Sequence, residues 1–241
     1  MRMRQGMMVA TLVLLAACGP QKTAQQAAPE QPAASRAAAV VAGTERRPER
    51  RIVALGDSLF AGYGLQSREA YPVRLEAALR ARGLNVRVTN AGVSGDTTAD
   101  GAARLDFTLA SLPRAPDLVL ISLGGNDMLR GLPPAATRAN LDAILGKLAQ
   151  RRIPVVVMGM LAAPNMGKAY AGAFNSAFPQ MAHKHKAVLV PFFLAATLGR
   201  ADLTQADHLH PTGAGVEAIV AATVDQVAKA LPQALPQAPA Q

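Results

Sequence analysis

The sequence predicts a three-layer α/β/α domain built on a five-stranded parallel sheet. Three observations carry that expectation. Five short apolar runs alternate with segments of helical apolar spacing between Arg51 and Ala230. The runs are apolar throughout rather than alternating with polar residues, as strands are when both faces of a sheet are covered. Gly56, Gly83 and Pro113 punctuate the junctions between them.

Arg51–Leu55 (RIVAL) reads as a short buried strand ending at Gly56. Tyr71–Arg82 reads as a helix, with Val73, Leu75, Ala78 and Leu79 at helical spacing and Gly83 closing it. Val86–Thr89 is the second strand, and Thr98–Leu112 the second helix, closed by Pro113. Asp117–Leu123 (DLVLISL) is a continuous apolar strand, followed by a helix over Pro134–Arg151. Pro154–Met160 (PVVVMGM) is the fourth strand. Tyr170–His185 has helical spacing, with Pro179 arguing against its continuity. Ala187–Val190 is a short fifth strand. Thr212–Ala230 is the last helix, with Val216, Ile219, Val220, Val224 and Val227 on its apolar face, and Pro211 suits its start. Strands alternating with helices imply parallel pairing with helices on both sides. Such sheets carry their chemistry at the carboxyl ends of the strands.

The 241 residues suit one domain plus extensions. Half are hydrophobic, only 4% are aromatic and none is Trp, so the core is expected to be aliphatic and alanine-rich. The formal charge of +9 suggests nucleic acid, but its distribution argues otherwise. Residues 1–51 hold eight Arg/Lys and three acidic residues, a net of +5, and the rest of the excess is scattered without interleaved aromatics. A basic, membrane-proximal tether accounts for it without any nucleic-acid partner.

Arg2 and Arg4 precede an apolar run from Met7 to Ala17. That run is shorter than the roughly 20 residues needed to span a bilayer, and it reads as an export signal over 1–17. Leu15-Ala16-Ala17-Cys18 resembles a bacterial lipobox, in which the thiol after the cleavage site is acylated. Cys18 is the one cysteine of the chain, so no internal disulfide competes for it. The bland alternative is an ordinary signal peptide with an incidental cysteine. Gly19 in place of Asp after the cysteine points towards an outer membrane. Residues 18–49, rich in Ala, Gln, Pro and Arg, are expected to be a flexible lipid-anchored linker. The domain is expected over 50–231, and 232–241 as a frayed tail.

Four polar blocks follow the strands: Gly56-Asp57-Ser58-Leu59, Asn90 to Thr97, Gly124-Gly125-Asn126-Asp127, and Asp207-His208-Leu209-His210. Each alone is ordinary turn chemistry. Together, on one edge of a sheet, they are hard to explain as turns. In this order they resemble the SGNH, or GDSL, hydrolase family, and the resemblance runs through about 51–231. GDSLFAGYGL, NAGVSGDTT, LGGNDMLRG, PNMGKAY and VPFF are closest to its bacterial arylesterase, acyl-CoA thioesterase I and lysophospholipase I subgroup.

The resemblance implies the flavodoxin-like fold of that family and a serine hydrolase without metal or cofactor. It implies Ser58 as nucleophile, His210 as the base acting through Nε2, and Asp207 as the carboxylate that orients the imidazole. It assigns the oxyanion donors to the backbone N–H of Ser58 and Gly95 and the side-chain amide of Asn126. The substrates implied are aryl esters, acyl thioesters and lysophospholipids. The N-terminal signal places the chain on the exported, periplasmic side of a bacterial membrane, and a monomer is expected.

Other residues compete for these roles. His208 is expected to be a loop residue. His183 and His185, beside Lys184 and Lys186, are expected to be solvated near a helix C-terminus. Asp57 and Asp127 are expected to organise their loops. The histidines lack metal-ligand spacing. Met128, Leu129 and residues 161–170 are expected to line an acyl groove. Two other classes stand beside the esterase. One is an O-acetylesterase or acyltransferase acting on an envelope polysaccharide, and the other is a lipoprotein that keeps only the fold.

Overall fold

A computed structural model describes residues 48–232. The expectations for the export signal, for Cys18, for nearly all of the linker and for the tail beyond residue 232 fall outside the described residues.

Five parallel strands form the sheet: β1 (Arg50–Gly56), β2 (Val86–Gly92), β3 (Leu118–Ser122), β4 (Val155–Met158) and β5 (Val188–Val190). Their order is β2-β1-β3-β4-β5, the flavodoxin-like order whose switch point lies between β1 and β3. Every residue of β3 and β4, and Ile52–Gly56 of β1, is buried, which explains their unbroken apolar sequences. β2 is an edge strand and alternates, with Val86 and Val88 inward and Arg87 outward. It runs on to Gly92 rather than stopping at Thr89, because Gly56 still pairs with Gly92 across the ladder. The Asn90-Ala91-Gly92 stretch, read from sequence as loop, is therefore the last of the strand.

Seven α-helices flank the sheet among the described residues: α1 (Ser58–Ala61), α2 (Tyr71–Ala81), α3 (Thr98–Ala110), α4 (Gly125–Leu129), α5 (Pro134–Gln150), α6 (Lys168–Lys184) and α7 (Gly213–Ala230). α2 packs on α7, while α5 packs on both α3 and α6, one group on each face as right-handed crossovers require. α2 buries Tyr71, Leu75 and Leu79 at four-residue intervals. Val73, expected on that face, is instead 42% exposed. Tyr71 is buried, and its hydroxyl donates to Thr223 Oγ1 of α7 at 2.8 Å.

α3 opens on a reciprocal cap: Thr97 N–H donates to Asp100 Oδ2 at 2.9 Å and Asp100 N–H to Thr97 Oγ1 at 3.3 Å. α6 passes through Pro179 without ending. The lost backbone bond and ring clash cost about 3 kcal/mol, which burial of Phe174, Ala177, Phe178, Met181 and Ala182 offsets. α7 is capped by Thr212, whose Oγ1 accepts from Gly215 N–H at 3.2 Å. Pro211 thus precedes the cap, pairing with Thr204 in an isolated bridge, rather than forming the first helical turn.

Candidate active site

β1 delivers the Gly56–Leu59 block at the switch point. Asp57 N–H continues the sheet by donating to Ser122 O at 3.1 Å, and Ser58 then starts α1. Asp57 caps this one-turn helix, accepting from Leu59 N–H at 3.0 Å. Phe60 nails the turn into the core: it is fully buried, stacked on Tyr71 at 5.4 Å and edge-on to Phe193 at 5.6 Å. Asn90 Nδ2 holds Phe60 O at 2.8 Å. A Cβ on Gly92 would lie 2.4 Å from Ala61 N, so only glycine lets β2 approach α1 this closely.

The last loop brings the imidazole to this turn. His210 Nε2 lies 2.8 Å from Ser58 Oγ, and His210 Nδ1 lies 2.6 Å from Asp207 Oδ2. The other oxygen of Asp207 accepts from the backbone N–H of Leu209 and of His210, both at 3.0 Å. This tight turn explains how a three-residue spacing places carboxylate and imidazole side by side. His208 adopts a left-handed conformation at φ 57° and, although exposed, lies in the lining of the cleft. The bond from His210 holds the Asp207 carboxyl down at about 2, so it remains an acceptor at neutral pH. With Nδ1–H donated to Asp207, Nε2 is free to accept the Ser58 proton.

Gln205 fastens this loop. Its N–H donates to His210 O at 2.7 Å, and its Nε2 donates to Tyr63 O at 2.8 Å and Pro211 O at 2.9 Å. The Tyr63 ring packs on the imidazole with centroids 4.5 Å apart. Neither residue was picked out from the sequence; a Gln six residues before a proline carries no signal of its own.

The expected oxyanion donors come from three strand ends. Asn126 stands in α4 just beyond β3, and its Nδ2 donates one N–H to Asp96 O at 2.9 Å, which orients the amide and leaves its second N–H for the cleft. Gly95 closes the loop after β2 at φ +89°, a left-handed conformation that favours glycine, with its carbonyl held by Arg130 Nη2 at 2.6 Å. Ser58 and Asn126 line the same cleft as His210, whereas Gly95 is not part of that lining. Among the described residues, the backbone N–H of Ser58 and of Gly95 has no protein acceptor.

Asp127, 1% exposed, accepts from Thr98 N–H at 2.8 Å, from Thr98 Oγ1 and from Thr137 Oγ1 at 3.1 Å. It ties α3, α4 and α5 together and faces no substrate. Asp57, 2% exposed, is raised to about 7 by its burial, with the charges of Asp96 and Asp127 adding to the effect. His183 is exposed, but His185 is not solvated as expected. Its side chain is 14% exposed and its Nε2 lies 2.5 Å from Asp142 Oδ1 of α5. Among the described residues no group of three His, Cys, Asp or Glu is placed to hold a metal ion.

The cleft has a volume of about 650 Å³ and mostly apolar walls. Met128, Leu129 and Leu161–Pro164 form one side, as expected. The rest of the 161–170 segment is not in the lining; Tyr170 instead anchors it by donating to Leu132 O at 3.0 Å. Sequence reasoning missed a further part of the lining, which comes from the segment after β5 and includes Phe192, Leu194 and Leu198. The signal was present in its apolar run at the carboxyl edge of a strand.

Residues 54–218 match the sequence profile of the GDSL-like Lipase/Acylhydrolase family. The chain is 38% identical to Esterase TesA of Pseudomonas aeruginosa over 173 residues, covering 72% of this chain and 85% of that one. It is 39% identical to an arylesterase of Vibrio mimicus over 161 residues, 67% of this chain and 80% of that one. The crystal structure of AlinE4, an SGNH-hydrolase family esterase, shares 55% identity and superposes with a TM-score of 0.66, covering 77% of this chain and 98% of that one.

Proposed function

The chain belongs to the GDSL-like lipase/acylhydrolase family, and from that premise we propose that it is a serine esterase that hydrolyses carboxylic esters or thioesters through an acyl-enzyme on Ser58. The observation that carries this reading is the 2.8 Å approach of His210 Nε2 to Ser58 Oγ. Ser58 Oγ attacks the carbonyl carbon while His210 takes its proton. Asp207 holds the imidazole in the reactive tautomer and stabilises the imidazolium. The oxyanion is met by Ser58 N–H, Gly95 N–H and Asn126 Nδ2, each donor contributing roughly 3–4 kcal/mol of transition-state stabilisation. His210 returns the proton to the departing alcohol or thiol. Water, deprotonated by the same imidazole, then attacks the acyl-enzyme; the acyl–Oγ bond breaks, His210 returns the proton to Ser58 Oγ, and the acid leaves.

The apolar walls of the cleft suit an acyl chain, as in aryl esters, lysophospholipids or acyl thioesters. They offer few of the hydrogen-bonding groups that an envelope polysaccharide would need, so deacetylation or acylation of such a polymer is the weaker reading. Every group that the reaction uses comes from one chain, so the chemistry itself calls for no second copy, and we read the protein as a monomer. The export signal and Leu15–Cys18 support lipid anchoring on the periplasmic side of a membrane, and no helix among the described residues is long and apolar enough to cross one. Hydrolysis of a short nitrophenyl ester by the native protein and by Ser58→Ala tests the enzyme reading. Native turnover with loss in the variant is expected, and equal rates would remove the reading.

A further inference from the structure

We propose that Arg104 is a positioning residue that holds the three oxyanion donors in register. The proposal deepens the reading of Ser58, Gly95 and Asn126 and rests on it. Arg104 lies on α3, outside the four polar blocks and outside the lining of the cleft. Its guanidinium is wedged between two strand ends. Nη2 donates to Gly56 O at 2.9 Å, and Nε donates to Asp96 Oδ2 at 2.6 Å. Gly56 ends β1, two residues before the nucleophile, and its carbonyl also accepts Val93 N–H at 2.9 Å. Asp96 follows Gly95 directly, and its own carbonyl holds the Asn126 amide at 2.9 Å. One cation therefore touches the turn that carries the first donor and the residue next to the second. It reaches the third donor through Asp96.

The chemistry of the side chain suits this task. A guanidinium is planar and presents its N–H groups in a fixed fork, so the separation of Gly56 and Asp96 is set by a rigid group. Lysine would offer a point charge on a flexible stem. The pair is largely shielded, with the side chains of Arg104 and Asp96 21% and 12% exposed. Removing the cation would leave the Asp96 carboxylate uncompensated, close enough to Asp57 that its charge already helps raise that carboxyl.

The proton-transfer groups are fastened differently, by Gln205 and Tyr63. Loss of Arg104 should therefore act chiefly on the oxyanion donors, above all Gly95 and Asn126, while Gln205 and Tyr63 still hold His210 beside Ser58. Such donors act only when preorganised, and a misplacement near 1 Å costs on the order of 10²-fold in rate.

The test measures kcat, KM and inhibition by an aryl trifluoromethyl ketone, which forms an oxyanion on the serine, for Arg104→Gln and Arg104→Lys. Asp106→Asn serves as the control, since it loosens the same helix at its exposed pairs with Lys147 and Arg151. Arg104→Gln should lower kcat on the order of 10²-fold with KM little changed, and weaken the ketone by a similar factor. Arg104→Lys should recover only part of the loss, and Asp106→Asn should retain native kcat. The proposal is overturned by native kcat in Arg104→Gln, or by a fall in kcat without weaker ketone binding. If Arg104→Gln does not fold, Arg104→Lys decides, and native kcat there overturns it too. Ser58→Ala in the same assay separates the two readings: if it is inactive while the Arg104 variants are native-like, only the role of Arg104 fails.

Discussion

Gln205 Nε2 donates to the carbonyl of Tyr63 at 2.8 Å, which joins the loop carrying the imidazole to the loop that follows the nucleophile. The same amide nitrogen holds Pro211 O at 2.9 Å. The two ends of the chain's chemistry, separated by about 150 residues, are thus also joined by a side chain that takes no part in proton transfer, beside the packing of Tyr63 on His210. This strap ties the loop of His210 to the loop that follows Ser58.

Gln205→Ala should therefore lower kcat by about tenfold with KM little changed, since small misplacements of catalytic groups act on rate. It should also destabilise the protein by about 1–2 kcal/mol through carbonyls left without donors. Steady-state kinetics and denaturant unfolding check both effects. Native kcat in a folded variant would show that the loop holds its place without the strap.

Asp207 should titrate near 2, where its bond to His210 places it. A depressed carboxyl contributes stability that is present above the ordinary value of 3.8 and is lost as pH falls through about 2. A carboxyl-carbon NMR titration reads this midpoint directly, and a midpoint near 3.8 would mean that the imidazole contact is absent in solution. Asp207→Asn should lower kcat by roughly 10²–10⁴-fold, because the amide favours the wrong imidazole tautomer.

Asp57 should show the opposite linkage. Burial raises it from 3.8 to about 7, so the folded protein binds more protons than the unfolded chain between those values. Its contribution is present in full below about pH 4 and is lost as pH rises through 7. Asp57→Asn, which retains an acceptor for Leu59 N–H, should flatten the fall in Tm between pH 5 and pH 8. An unchanged pH slope in the variant would show that the carboxyl is ionised throughout.

The cleft should bind acyl chains by burial. Each added CH₂ is worth about 0.8 kcal/mol, so KM along a nitrophenyl ester series should fall about fourfold per CH₂ until the cleft is filled. Leu161→Asp, on the rim, should blunt that trend for long chains while leaving the acetate ester unaffected. A flat response to chain length in the native enzyme would remove the acyl-groove assignment.

The layers and the order of the elements were legible because buried strands and amphipathic helices leave apolar periods in the sequence. The residues of the candidate site were legible because they sit in short blocks at strand ends. Ranges were less so. Asn90–Gly92 reads as a polar loop, yet pairing with β1 carries it into the sheet. Pro179 casts doubt on a helix over Tyr170–His185, yet packing of Phe174 and Phe178 holds the helix through it. The short helices α1 and α4 have no period at all and exist because strand ends and caps define them. The bonds of Gln205 to Tyr63, Arg104 to Gly56 and Asp142 to His185 each span more than 40 residues, which no local pattern records. The wall at Phe192–Leu198 was visible as an apolar run but fitted neither helix nor strand.

The most direct test of the central claim is covalent. A fluorophosphonate reacts with a serine oxygen only when a base removes its proton. Incubation at pH 7.5 followed by peptide mass spectrometry should place one adduct on Ser58 in the native protein and none in His210→Ala. An adduct on another residue, or labelling of Ser58 at an equal rate without the imidazole, would contradict the account.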